Sequence, residues 1–144
     1  MTDGGLDKIT ITSENNSQMH LSGALRKRRD FLFVQRKGVR QVMPHFILQA
    51  AVKPASTASK PAFSYRTGVT ASKKVGNAVA RNRAKRRMRA LFSKLECDHA
   101  PFGTDYVLVA RHSLVQAEWT ELSADFSIAA KHIHKKLIKI AAQE

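Results

Sequence analysis

Residues 71–95 read ASKKVGNAVARNRAKRRMRALFSKL, and the spacing inside this stretch organises the rest of the chain. Lys73 to Asn77 carry turn chemistry, and Asn77 suits the N-cap of a helix from Ala78 to about Leu95, because its side-chain oxygen can accept from an unpaired first-turn N–H. Advancing 100° per residue, Ala84, Met88, Leu91, Phe92 and Leu95 fall in one apolar arc, the width of a helix docked on a core. Arg81, Asn82, Lys85, Arg86 and Arg89 line one flank of that arc, and Arg83, Arg87 and Lys94 the other.

The stretch holds nine Lys or Arg and no Asp or Glu. An ordinary solvated helix mixes signs and gains from i,i+4 ion pairs, whereas like charges at that spacing cost stability. Such a surface is expected to meet a polyanion. Arginine forks grip phosphate in bidentate fashion, Lys73 and Lys74 add point charges near the helix start, and Asn82 can read a base edge or a 2′-hydroxyl.

On the N-terminal side, FSYRTGVTAS at residues 63–72 has the aromatic and β-branched density of a strand. On the C-terminal side, DYVLVAR at 105–111 is a short apolar run suited to a buried strand. Further out, Ser22 can cap a first helix through Leu25, Phe31, Leu32 and Val34 that exits at Gly38. Its cluster of Arg26, Lys27, Arg28, Arg29, Arg36, Lys37 and Arg40 surrounds Phe31, for which base stacking and core packing are both open. Residues 42–52 read as one strand with Pro44 at an edge or bulge, and KPASTASKP at 53–61 as a loop. In the last segment Trp119, Leu122, Phe126, Ala129, Ile133, Leu137 and Ile140 share one face of a helix, with acids early and Lys131, Lys135, Lys136 and Lys139 late, as the helix dipole favours. Those lysines form a solvated face or a further RNA contact.

The formal net charge of +14 over 144 residues makes nucleic acid the leading partner. No apolar run is long enough to span a bilayer and the first residues lack a signal-peptide pattern, so a soluble, cytoplasmic protein without a membrane partner is expected. Cys97 is the single cysteine, which excludes an internal disulfide. Residues 1–20 carry Asp3, Asp7 and Glu14 against Lys8 and read as a disordered acidic tail, leaving 21–144 as one domain. A protein-held nuclease metal would need clustered carboxylates, and Asp30, Glu96, Asp98 and Asp105 are scattered. Cys97, Asp98 and His99 are consecutive and diverge, His132 and His134 are splayed across a helix, and the remaining histidines are isolated. No catalytic or metal-binding residue is expected in the protein itself.

SKKVGNAVARNRAKRRMRALF at 72–92 closely resembles the hallmark region of the bacterial ribonuclease P protein component, with the triplet Arg81, Asn82, Arg83 followed by Lys85, Arg86 and Arg89. LRKRRDF at 25–31, GVTASKK at 68–74 and DYVLVAR at 105–111 extend the resemblance in order, over residues 21–139. It implies a ribosomal-protein-like α+β domain, α-β-β-β-α-β-α, with a four-stranded sheet and a left-handed β-α-β crossover. It also implies the protein subunit of a ribonucleoprotein endonuclease whose RNA subunit, with Mg2+ held by RNA, removes the 5′ leader of precursor tRNA; no obligate protein partner is implied. Carried over by position, the leader cleft comprises Phe31, Gln49, Thr70, Arg81, Asn82, Lys85, Arg86 and Arg89, and contacts to the catalytic RNA fall to Lys73, Lys74, Arg83 and Arg87. Gln35 and Gln49 stand where relatives often have aromatics, which leaves Phe31 as the main stacking candidate. A structural RNA-binding protein of ribosomal type and a DNA-binding module are the alternatives; the triplet opposes the first, and a helix poor in base-reading side chains the second.

Overall fold

In the computed structural model the described residues are 9–11, 21–52, 65–95 and 103–142. Their elements run β1 (Ile9–Ile11), β2 (Leu21–Ala24), α1 (Arg28–Lys37), β3 (Val39–Val42), β4 (Phe46–Val52), β5 (Tyr65–Thr70), α2 (Ala78–Phe92), β6 (Thr104–Ala110) and α3 (Trp119–Ala142). From α1 onward this is the expected α-β-β-β-α-β-α order. The sheet has six strands in the order β1-β2-β5-β6-β4-β3, two more than expected. β5 and β6 are adjacent and parallel, with α2 in the connection between them.

Side chains alternate across the strands and divide the interior in two. Tyr106, Leu108 and Ala110 of β6 join Phe46, Leu48 and Ala50 of β4 in the larger core, closed by α2 and α3. Val107 and Ala51 point the other way, into a smaller core with Leu25 and with Val34 of α1. The helices therefore lie on opposite faces, α1 on one and α2 with α3 on the other. Both faces of β4 and β6 are covered, which is why both are largely apolar, with Gln49 the one polar residue of β4.

The N-terminal boundaries differ from the sequence reading. Ser22 is not a helix cap but a residue of β2, which pairs in parallel with β5, while the Leu25 N–H donates to the Thr67 carbonyl at 2.8 Å. Strand pairing wins over capping here, and α1 starts at Arg28 with Lys27 in the N-cap position and no side-chain cap bond. The tail read as disordered holds a strand at Ile9–Ile11, two β-branched isoleucines flanking a threonine, antiparallel to β2. Residues 1–8 and 12–20, the loop at 53–61, and Cys97, Asp98 and His99 lie outside the described residues.

The single strand expected at 42–52 is a hairpin, with Val42 opposite Ile47 and the Met43 N–H donating to Phe46 O at 2.8 Å. Pro44, which has no N–H to give, sits in the turn. Gly38 ends α1 as expected, but by close packing and not by a left-handed turn, for a Cβ there would lie 2.5 Å from the carbonyl oxygens of Val34 and Ala50. β5 stops at Thr70 because Ser72 caps a 3-10 turn, its hydroxyl accepting from the Lys74 N–H.

Candidate nucleic-acid interface

α2 is built as its sequence dictates. The Asn77 side chain accepts from the Ala80 N–H at 2.9 Å, and Ala84, Met88, Leu91 and Phe92 are buried. Helix geometry ends at Phe92, where the Ser93 hydroxyl donates to Ala90 O at 2.6 Å. Asn82, Arg86 and Arg89 are exposed, and Arg81 and Lys85 half-buried along one edge of the buried stripe. Among the described residues none of these five side chains has an acidic partner, and the Arg81 Nε is enclosed without an acceptor. Four positive charges thus stand along this flank with no acidic compensation from the described part of the fold. Lys73 and Lys74 are exposed on the 3-10 turn just before the helix.

The opposite flank is used differently. Arg87 Nη1 donates to Leu114 O at 3.0 Å and Val115 O at 2.7 Å, and Nη2 to Ala117 O at 2.6 Å. Arg83 Nε adds a bond to Val115 O at 3.3 Å. These carbonyls end the 3-10 helix His112–Gln116, so Arg87 fastens α2 to the segment that leads into α3. Burial lowers the Arg87 pKa, the charge on Arg83 lowers it further, and Glu118 opposes both. Arg87, expected as an RNA contact, has most of its donors committed to the fold; Arg83 keeps the greater part of its fork free.

On the other side of the sheet, α1 is locked down by an arginine between two acids. Arg66 donates to Asp105 through Nε at 2.9 Å and Nη2 at 2.8 Å, and to Asp30 through Nη1 at 3.5 Å. Burial opposes the charge on Arg66, yet Asp105 and then Asp30 outweigh it and carry its pKa above the ordinary value. Asp30 is 5% and Asp105 0% exposed, so both carboxylates lie away from solvent and share the charge of Arg66.

Phe31 packs beside this network on the smaller core. Gly68 makes room for it: a Cβ there would meet the ring at 2.6 Å. Core packing is thus the observed role of Phe31, with part of the residue still accessible. Gln49, Val107 and Gly68 are in register across three strands, and Thr70 lies one row along, opposite Val109. Phe31, Gln49 and Thr70 therefore share the α1 face, while the five α2 residues belong to a helix on the other face. The chain passes from one group to the other where β5 ends at Thr70 and turns toward Asn77.

A scan of protein families matches residues 19–134 to the ribonuclease P model. The chain belongs to the ribonuclease P protein family. Curated relatives include the ribonuclease P protein components of Paramagnetospirillum magneticum, 42% identical over 76% of this chain and 80% of that one, and of Bartonella quintana, 39% identical over 78% and 85%. Among solved structures, the RNase P protein of Staphylococcus aureus superposes with a TM-score of 0.59 at 25% identity, covering 75% of this chain and 92% of that one. The RNase P protein of Thermotoga maritima does so at 0.57 and 23%, covering 75% and 96%, and shares the fold.

Several residues that act in the structure escaped the sequence reading. Arg66 interrupts a strand otherwise suited to burial, and Asp105 opens another; opposite charges in two such strands were the available signal. His45, read as isolated, joins the β3–β4 turn to α3, with Nδ1 2.6 Å from Ser113 Oγ and Nε2 2.9 Å from Glu121 Oε2. His134 is buried with Nε2 2.8 Å from the Tyr106 hydroxyl, a core polar pair. Lys136 donates to Arg40 O at 2.9 Å, which gives one of the late α3 lysines a structural task. Trp119, placed by periodicity on the buried face, is 36% exposed.

Proposed function

We propose that this chain binds the catalytic RNA of ribonuclease P and the 5′ leader of precursor tRNA, and so promotes removal of the leader by that RNA. Membership of the family makes it the protein subunit of ribonuclease P, an accessory to an endoribonuclease acting at tRNA 5′ ends. The observation that carries the finer reading is the outer flank of α2, where Arg81, Lys85, Arg86 and Arg89 stand around Asn82 without an acidic partner among the described residues. Paired phosphate oxygens fit the forks of the arginines, and a 2′-hydroxyl fits the Asn82 amide. The leader runs over the α1 face past Phe31, Gln49 and Thr70, rounds the end of β5, and follows the outer flank of α2 from Arg81 to Arg89. Lys73, Lys74 and Arg83 face the catalytic RNA.

The chemistry belongs to the RNA. Among the described residues no group of three His, Cys, Asp or Glu could hold a metal ion, and Asp30 and Asp105 are spent on Arg66. This reading assigns Mg2+ to phosphates of the RNA. What the protein contributes is positive potential, which draws the two polyanions together and reduces the cation concentration they need. This reading places the protein in the cytoplasm; among the described residues no helix is long and apolar enough to cross a membrane.

Reconstitution tests the reading. Protein alone should leave precursor tRNA intact, and the cognate RNA should cleave it faster at low Mg2+ once the protein is added. Absence of stimulation overturns the proposal.

A further inference from the structure

Trp119 lies outside both apolar cores although it is the largest side chain available to them. It is the first residue of α3, and it borders a shallow, open hollow of about 420 Å³ lined also by Arg83, Arg86, Arg87 and Ala90 of α2. The Arg87 guanidinium carbon stands 6.0 Å from the centre of its ring. Arg87 is itself fixed by three backbone carbonyls, so the indole rests against a rigid support. More than a third of the residue remains open, beside the exposed Arg83 and Arg86.

A planar aromatic surface with cations around it selects a ligand that is flat and apolar in one part and anionic in another. Amino-acid side chains meet only half of that description, whereas a nucleotide meets both. Bases stack on tryptophan regardless of sequence, and a guanidinium beside the ring serves phosphate and π-system alike. A base inside a duplex is already stacked on both sides and cannot enter. We propose that this hollow holds one unpaired RNA base on Trp119, with its flanking phosphates on Arg83 and Arg86. The site rests on the reading of α2 as an RNA-binding helix and extends it round the helix from Arg86 to Arg83 and Arg87, where a seat for a base replaces diffuse attraction.

Trp119 is the only tryptophan in the chain, so its emission reports this hollow alone. The full-length protein is titrated with a single-stranded RNA oligonucleotide of mixed sequence and, separately, with a fully paired RNA duplex. Single strands should quench the emission, and the duplex should bind with little quenching. Trp119→Leu, which stays apolar but cannot stack, should weaken single-strand binding about tenfold with an unchanged log-log salt slope, because no phosphate contact is lost. Trp119→Phe should keep most of the affinity, and it retains an aromatic ring should the leucine variant fail to fold. Unchanged emission on saturation with single strands, or equal quenching by duplex, overturns the seat while leaving RNA binding by α2 intact. Failure of the wild-type chain to bind either RNA overturns both.

Discussion

Arg81 and Arg87 belong to the same helix and differ in what surrounds them. Arg87 faces the end of the 3-10 helix, where its planar fork spans the carbonyls of Leu114, Val115 and Ala117 and Arg83 adds one longer bond to Val115. Arg81 is half-buried at the edge of the stripe with Lys85 and Arg89 one and two turns on, and the described part of the fold offers these side chains no acid. A basic residue is structural where backbone acceptors converge on it and functional where none do. Composition treats both flanks alike, and only the position of residues 112–117 separates them.

The sharpest way to break this contrast is to remove the fork. Arg87→Ala abolishes three charge-assisted bonds and the support of Trp119, and should lower unfolding stability by about 3 kcal/mol in urea titrations. Arg87→Lys should recover less than half, since an ammonium cannot span three carbonyls in one plane. A loss below about 0.5 kcal/mol for the alanine variant would place Arg87 with the free arginines.

Much of this was legible beforehand. The buried stripe of α2, its Asn77 cap and its flanks follow from 3.6-residue periodicity and turn chemistry, because that helix is amphipathic and locally consistent. β6 was clear because both its faces are covered and its apolar run is uninterrupted. What periodicity missed depends on partners distant in sequence. Leu21–Ala24 forms a strand only because Tyr65–Thr67 lies alongside, and Ser22 looked like a cap for want of that information. The division of the expected cleft residues between two faces is equally invisible in the sequence, since a wheel gives the direction of a side chain on its helix and not the layer to which the helix belongs. Trp119 failed for a related reason: at the end of α3 its position in the apolar repeat no longer coincides with the core.

A control for stability effects lies in the cap. Asn77→Ala removes the bond to the Ala80 N–H without touching either flank, and should cost about 1 kcal/mol in the same titration while leaving the salt dependence of RNA binding unchanged. An altered salt slope would mean that the helix start itself takes part in binding.

The outer flank should show the reverse pattern, with the smallest change in stability and a clear change in binding. Arg81, Lys85 and Arg89 succeed one another at i,i+4, so in the free protein each step sets like charges side by side. Replacing all three by alanine removes that repulsion and installs the best helix former, so the variant should be as stable as the parent or more stable by about 0.5 kcal/mol. If the three side chains each neutralise one phosphate of a single strand, the slope of log affinity for a leader oligonucleotide against log salt should flatten by about 2. Stability preserved while binding falls is the signature of residues kept for a partner. A variant that loses stability as Arg87→Ala does, or that keeps the parental slope, would erase the distinction between the two flanks and move the leader contact onto the α1 face alone.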